Sequence, residues 1–133
     1  MNELDLSKKD SFSYKDLFGH ARWESVTPVV SFTEVLGGGS ITYVLRYKRI
    51  GKAVFFKLTI TPAGGATVAS TAGTSYVVLP TMDTVDQGMV TAYSVTALTG
   101  DGVGAIDTTN KRAYPPTWTA STNTRVVSGW YEG

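Results

Sequence analysis

SITYVLRYKRIGKAVFFKLTIT, residues 40–61, decides the fold. On its first arm Ile41, Tyr43, Leu45 and Tyr47 fall on one face, and Thr42, Val44, Arg46 and Lys48 on the other. On its second arm Val54, Phe56, Leu58 and Ile60 share a face, with Phe55, Lys57 and Thr59 opposite. A period of two suits a strand with one buried face and does not suit a helix. Between the arms, Arg49-Ile50-Gly51-Lys52 reads as a tight turn: Gly51 can take positive φ, and the flanking charges keep the tip in water. The expectation is a β-hairpin whose second arm feeds the core through Val54, Phe56, Leu58 and Ile60.

Outward from the hairpin, the pattern stays β. Val26 to Glu34 is a strand candidate, with Pro28 marking an edge or a bulge. Gly37-Gly38-Gly39 is a connector. Residues 61–75, TPAGGATVASTAGTS, are small, polar and rich in glycine, and read as a long mobile loop. Tyr76 to Leu79 is a short strand stopped by Pro80, and Met82 to Gln87 is a turn region. Met89 to Thr99 alternates again, and Gly100-Asp101-Gly102 reads as a turn. Val103 to Thr108, Lys111 to Tyr114 and Arg125 to Tyr131 complete the set, with Pro115-Pro116 as a break. The expected fold is all-β: an antiparallel, jelly-roll-like β-sandwich of about eight strands. It occupies residues 23–133, behind an N-terminal arm, residues 1–22, which could hold one helical turn from Ser13 to Gly19.

Composition excludes several kinds of function. The 133 residues suit one domain, and a chain of this size buries roughly two-thirds of the surface its unfolded form exposes. The formal net charge is +1, so no nucleic-acid partner is expected, although Arg46, Lys48, Arg49, Lys52 and Lys57 make the hairpin locally basic beside Tyr43, Tyr47 and Phe55. There is no cysteine, which excludes disulfides, thiolate metal sites and a cysteine nucleophile, and fits folding in a reducing cytosol. MNELDLSKKDSF has no apolar h-region, so no cleavable signal is expected, and no run of about 18 apolar residues predicts membrane insertion.

Chemistry-bearing residues are sparse. His20 is the single histidine, too few for a metal site of its own kind. Asp83 with Asp86, and Asp101 with Asp107, are the close carboxylate pairs. All four sit in turn-like sequence, where aspartate serves by bonding nearby backbone N–H groups, so a glycosidase pair is not expected. A cation at Asp101 and Asp107 would not match the twelve-residue EF-hand spacing. The glycines give no phosphate loop, since Gly37-Gly38-Gly39-Ser40 leads into a strand and not a helix. No catalytic residue, metal or cofactor is therefore expected.

Aromatic residues gather near the C-terminal end: Tyr114, Trp118, Trp130 and Tyr131. Aromatic faces stack on sugar rings and anchor protein interfaces. Trp130 follows an alternating strand and is assigned to the core or a subunit interface. Tyr114 and Trp118, which flank Pro115-Pro116, are the expected exposed ligand-binding candidates, together with the 61–75 loop. In the arm, Leu4, Leu6, Phe12, Leu17 and Phe18 are too apolar for a free tail and are the expected docking residues.

The order of motifs resembles a family. Trp23 and Pro28 precede Gly38-Gly39; then come Tyr47-Lys-Arg-Ile-Gly-Lys-Ala-Val-Phe-Phe56, Leu79-Pro80 and a closing Ser128-Gly-Trp-Tyr-Glu-Gly133. This resembles small β-sandwich domains of tailed-phage virion proteins, especially tail-fibre head domains and similar minor structural proteins. The resemblance implies a non-enzymatic homotrimer, made in the host cytoplasm and built into a virion, that contacts other virion proteins and host-surface polysaccharide. Tail-fibre head domains usually follow a long shaft, and here some 22 residues precede the domain. A capsid decoration protein held through the arm is accordingly the second expectation.

Overall fold

The computed structural model describes residues 22–81 and 84–132. Among them there is no helix. The chain runs through β1 (Glu24–Val26), β2 (Val30–Ser31), β3 (Thr33–Val35), β4 (Ser40–Ile50), β5 (Ala53–Ala63), β6 (Thr67–Ser70) and β7 (Tyr76–Val78). It continues through β8 (Gln87–Ser94), β9 (Thr99–Val103), β10 (Ala105–Asp107), β11 (Arg112–Tyr114), β12 (Trp118–Ser121) and β13 (Arg125–Glu132). All pairings are antiparallel. A six-stranded sheet has the order β1-β4-β5-β13-β8-β9. A four-stranded sheet, β10-β11-β7-β2, and a three-stranded sheet, β12-β6-β3, supply the opposing side.

The hairpin forms as its periodicity requires. β4 and β5 stay in register from Ser40↔Ala63 to Ile50↔Ala53, so the turn itself shrinks to Gly51-Lys52. Gly51 adopts φ +62°, the left-handed conformation that a side chain would strain. Val54, Phe56, Leu58 and Ile60 are all buried. They join Leu45, Val90, Val127 and Tyr131 of the same sheet in one cluster with Val68, Val77, Ala113 and Trp118 of the smaller sheets. The architecture is thus sandwich-like. The Gly104 N–H, between β9 and β10, donates to Val90 O of β8 at 2.8 Å, where the chain passes from the large sheet to the four-stranded one.

β13 is the centre of the large sheet, paired with β5 on one side and β8 on the other over eight residues each. At Gly129 the neighbouring backbone comes very close. A Cβ placed there would collide with Met89 O and come within 2.9 Å of Val90 Cα. Glycine is required at this point for packing and not for an unusual φ.

Several expectations need correction. There are thirteen strands among the described residues, not about eight: Val26 to Glu34 is broken into three, and β6, β9 and β12 form where a loop, a turn and a break are expected. Val26 to Glu34 supplies parts of three strands in three different sheets, with Pro28 in a connector. Residues 61–75 are not one long loop. β5 runs to Ala63, Gly64-Gly65 turn the chain with φ +66° and +89°, and β6 follows with Val68 and Ser70 buried. Ala66, Val68 and Ser70 alternate inward as a strand requires, but their small size hides the pattern. The Met89–Thr99 strand stops at Ser94, and Val95 to Leu98 make a turn in which Leu98 has φ +58°. Gly100-Asp101-Gly102 lies within β9 and not in a turn. The arm, and the helical turn expected from Ser13 to Gly19, lie outside the described residues apart from Arg22.

Candidate functional site

The two aromatic candidates part company in the structure. Trp118 opens β12 and is 4% exposed. Its indole N–H donates to Val68 O at 3.1 Å, and its ring stacks on Phe32 with centroids 5.7 Å apart. A buried indole needs such an acceptor, and the β6 backbone provides it. Trp118 is therefore a core residue, and the expectation that it is exposed is corrected. Tyr131 is likewise buried, with its hydroxyl 2.9 Å from Thr81 Oγ1.

Tyr114 remains at the surface, half-buried, on the outer face of the four-stranded sheet. Along β7 and β11, Val77 and Ala113 point inward, so Tyr76, Arg112 and Tyr114 point out. The Arg112 guanidinium lies 4.0 Å from the Tyr76 ring centroid. Its Nη1 donates to the Tyr114 hydroxyl at 3.4 Å. The two tyrosine rings meet edge to face at 5.9 Å. The bond to Tyr114 holds the Arg112 pKa above its ordinary value. Asp107 is opposite Arg112 in the β10–β11 register. Its carboxylate accepts from the N–H groups of Thr109 and Asn110 and from the Asn110 side chain. The backbone bond from Asn110, first among these, holds the Asp107 carboxyl below its ordinary value. This is the turn role expected of aspartate here. The result is a small aromatic and cationic platform with its guanidinium already oriented.

A second surface lies on the outer face of the six-stranded sheet. Lys48, Phe55, Trp130 and Met89 stand in one row across β4, β5, β13 and β8. Trp23, just before β1, extends the row: the Lys48 and Lys57 ammonium groups lie 5.1 and 5.0 Å from its ring centroid. Each contact is a cation–π interaction worth about 0.5–1 kcal/mol at an exposed site. Trp23, Lys48, Ile50, Phe55, Lys57 and Trp130 line an open groove of about 580 Å³. Trp130 is thus half-buried on an outer face. Sequence reasoning missed this groove because Trp23 and Trp130 lie at opposite ends of the described chain. The outward parity of Phe55 and Lys57 was the available signal.

The remaining candidates do not converge. Asp101 faces Arg125 across β9 and β13, with Oδ2 at 3.0 Å from Nε, and both side chains are largely buried. Asp86 is exposed, and its backbone N–H donates to Glu132 O. Leu4, Leu6, Phe12, Leu17, Phe18, His20 and Asp83 lie outside the described residues. Among the described residues no three His, Cys, Asp or Glu side chains are grouped so as to hold a metal ion. No helix among them is long and apolar enough to cross a membrane. No protein-family model, curated protein or solved structure matches the chain. What the two surfaces can do follows from their chemistry: both offer aromatic faces beside fixed positive charge, suited to stacking and to binding polar or anionic groups.

Proposed function

We propose that this chain is a non-enzymatic structural component of a tailed-phage virion, a small homotrimeric tail-fibre or tail-tip adhesin domain that contacts host-surface glycans. The observation that carries the reading is the Tyr76–Arg112–Tyr114 platform. Its guanidinium is held by a ring 4.0 Å away and by a hydroxyl, so little side-chain freedom remains to be lost on binding. Tyrosine faces stack on the apolar side of a sugar ring while the guanidinium bonds its hydroxyl or acidic groups. The order of sequence motifs supplies the virion context. The trimer rests on an uncovered edge: among the described residues, β9 ends the large sheet with no strand beyond it.

Binding of the purified protein to a host-polysaccharide array tests the reading. Binding is expected, and it should be lost in Tyr114→Ala and in Arg112→Ala. Absence of binding to any host-surface polysaccharide, or binding indifferent to both substitutions, overturns it. Light scattering should report three chains per particle at micromolar concentration, and a stable monomer would rule out the trimer. The second reading, a capsid decoration protein held through residues 1–22, is favoured by the groove beside Trp23, where that segment joins the sheet.

A further inference from the structure

Arg46 and Lys57 are directly opposite each other on the outer face of the six-stranded sheet. Like charges in that relation are destabilising, since their Cβ atoms lie only about 5 Å apart. Lys48 stands two residues along β4, on the same face. None of the three forms an ion pair with a carboxylate among the described residues. Glu24 of β1 is opposite Tyr47 and so has the parity of the other face. Glu132, on the outer face, is opposite Ala53, four residues and roughly 13 Å along β5 from Lys57. The two lysines find partial compensation at the Trp23 ring, but no such contact serves Arg46 among the described residues. Three cations are therefore gathered at a place where the fold does not need them.

We propose that this cluster is the anion subsite of a second carbohydrate site, one that takes an acidic sugar unit, carboxylated or sulfated. The row holding Arg46 and Lys57 continues into Ser128 of β13 and Thr91 of β8. The neighbouring row of Lys48, Phe55, Trp130 and Met89 is aromatic at its centre. The two rows are two residues apart, roughly 7 Å. A sugar unit bridging them stacks its apolar face on Phe55 or Trp130 and turns its hydroxyl groups to Ser128. Its charged group then falls among Arg46, Lys48 and Lys57. Two hollows give it room, and Lys57 borders both: the groove of about 580 Å³ beside Trp23, and one of about 320 Å³ lined by Val44, Arg46, Lys57 and Thr59. Single-stranded nucleic acid is a poorer occupant. Its affinity comes from cations that track a run of phosphates, and here the cations converge on one place. The site lies on a different sheet from the Tyr76–Arg112–Tyr114 platform and depends neither on it nor on the virion reading.

The indole N–H resonances of the isotope-labelled full-length protein test it. Trp23 and Trp130 line the groove, whereas Trp118 is buried with its N–H bonded to Val68 O and serves as the internal reference. Trp23→Phe and Trp130→Phe assign the signals. Titration with a trisaccharide of mannuronic acid, or with sulfated maltotriose, should shift the Trp23 and Trp130 signals to saturation and leave Trp118 still. Whichever of the two binds more tightly identifies the anion as carboxylate or sulfate. Uncharged maltotriose should bind about ten-fold more weakly, and so should either acid to the Arg46→Gln variant, which lacks one charge-assisted contact. That variant should melt no earlier than the parent at low ionic strength, because a like-charge pair is gone. Equal binding of the uncharged sugar, unaltered binding to Arg46→Gln, an earlier melt of that variant, or no shift with either acid overturns the proposal. Tighter binding of a thymidine hexanucleotide overturns it in favour of nucleic acid. Shifts that follow protein concentration without any sugar overturn it in favour of a second copy.

Discussion

The guanidinium of Arg125 lies 5.0 Å from the ring centroid of Trp118, sandwiching charge against a buried indole. Arg125 is on β13 of the large sheet, and Trp118 is on β12 of the three-stranded sheet. The contact therefore joins two layers. Arg125 also bonds Asp101 on β9 through Nε and Nη2, and Ser121 on β12 through Nη1. One side chain holds an edge strand, the central strand and the opposing sheet together.

Removing one member of this arrangement should be costly. Asp101→Ala leaves the 7%-exposed Arg125 without its carboxylate. A loss of about 3 kcal/mol in unfolding free energy is expected, as for other buried pairs stripped of one partner. Urea denaturation measures it. The double variant Asp101→Leu/Arg125→Met should recover most of that loss, because no buried charge is left unpaired.

Trp118→Ala should act on stability and leave the proposed glycan contact at Tyr114 intact. It deletes a buried ring that stacks on Phe32 and orphans the Val68 carbonyl. The expected cost is about 3–5 kcal/mol, seen as an earlier thermal midpoint. A destabilisation under about 1 kcal/mol would show that the ring is not part of the core.

Gly129→Ala should be at least as damaging as a conventional overpacking change. The added methyl meets Met89 O and Val90 Cα, both backbone atoms that cannot swing aside. A cost of about 3 kcal/mol is expected from overpacking at a central strand. Gly65→Ala is a useful contrast, since its Cβ meets nothing and only its φ of +89° is strained.

Asp107 gives a pH dependence with a definite sign. Its folded pKa is depressed below the ordinary value of 3.8, first by the backbone bond from Asn110. Its contribution is therefore present above the unfolded pKa and is lost as the pH falls through the folded one. Asp107→Asn should flatten the stability-against-pH curve in that acid window and leave its slope at neutral pH unchanged. Acid denaturation followed by circular dichroism separates the two.

How much of this was legible depended on side-chain size. Val54, Phe56, Leu58 and Ile60 are bulky, regularly spaced and placed inward as their alternation predicts. Ala66, Val68 and Ser70 follow the same rule, but composition disguised them as a loop. Asp101 between two glycines looked like a turn because strand glycines are uncommon. The paired neighbours Thr91↔Val103 and Tyr93↔Gly100, with a bulge between, show why a strand accepts them there. Trp118 was misplaced because prolines beside it suggested a surface. Pro115 and Pro116 are themselves buried. Tyr76 and Arg112 were not singled out, since only the β7–β11 pairing brings them beside Tyr114.

β13 follows every other described strand in the chain, yet it occupies the middle of the large sheet. During synthesis, β4 and β5 can close as a hairpin as soon as they emerge, and β8 can pair with β9. The two halves cannot meet until residues 125–132 are free of the ribosome. Until then β5 and β8 each present an unpaired edge, and the apolar faces of both halves lack their shared centre. Completion of the fold is thus a late, long-range event, of the kind that proceeds slowly. The nascent chain also passes through a window in which its halves can pair with those of neighbouring chains.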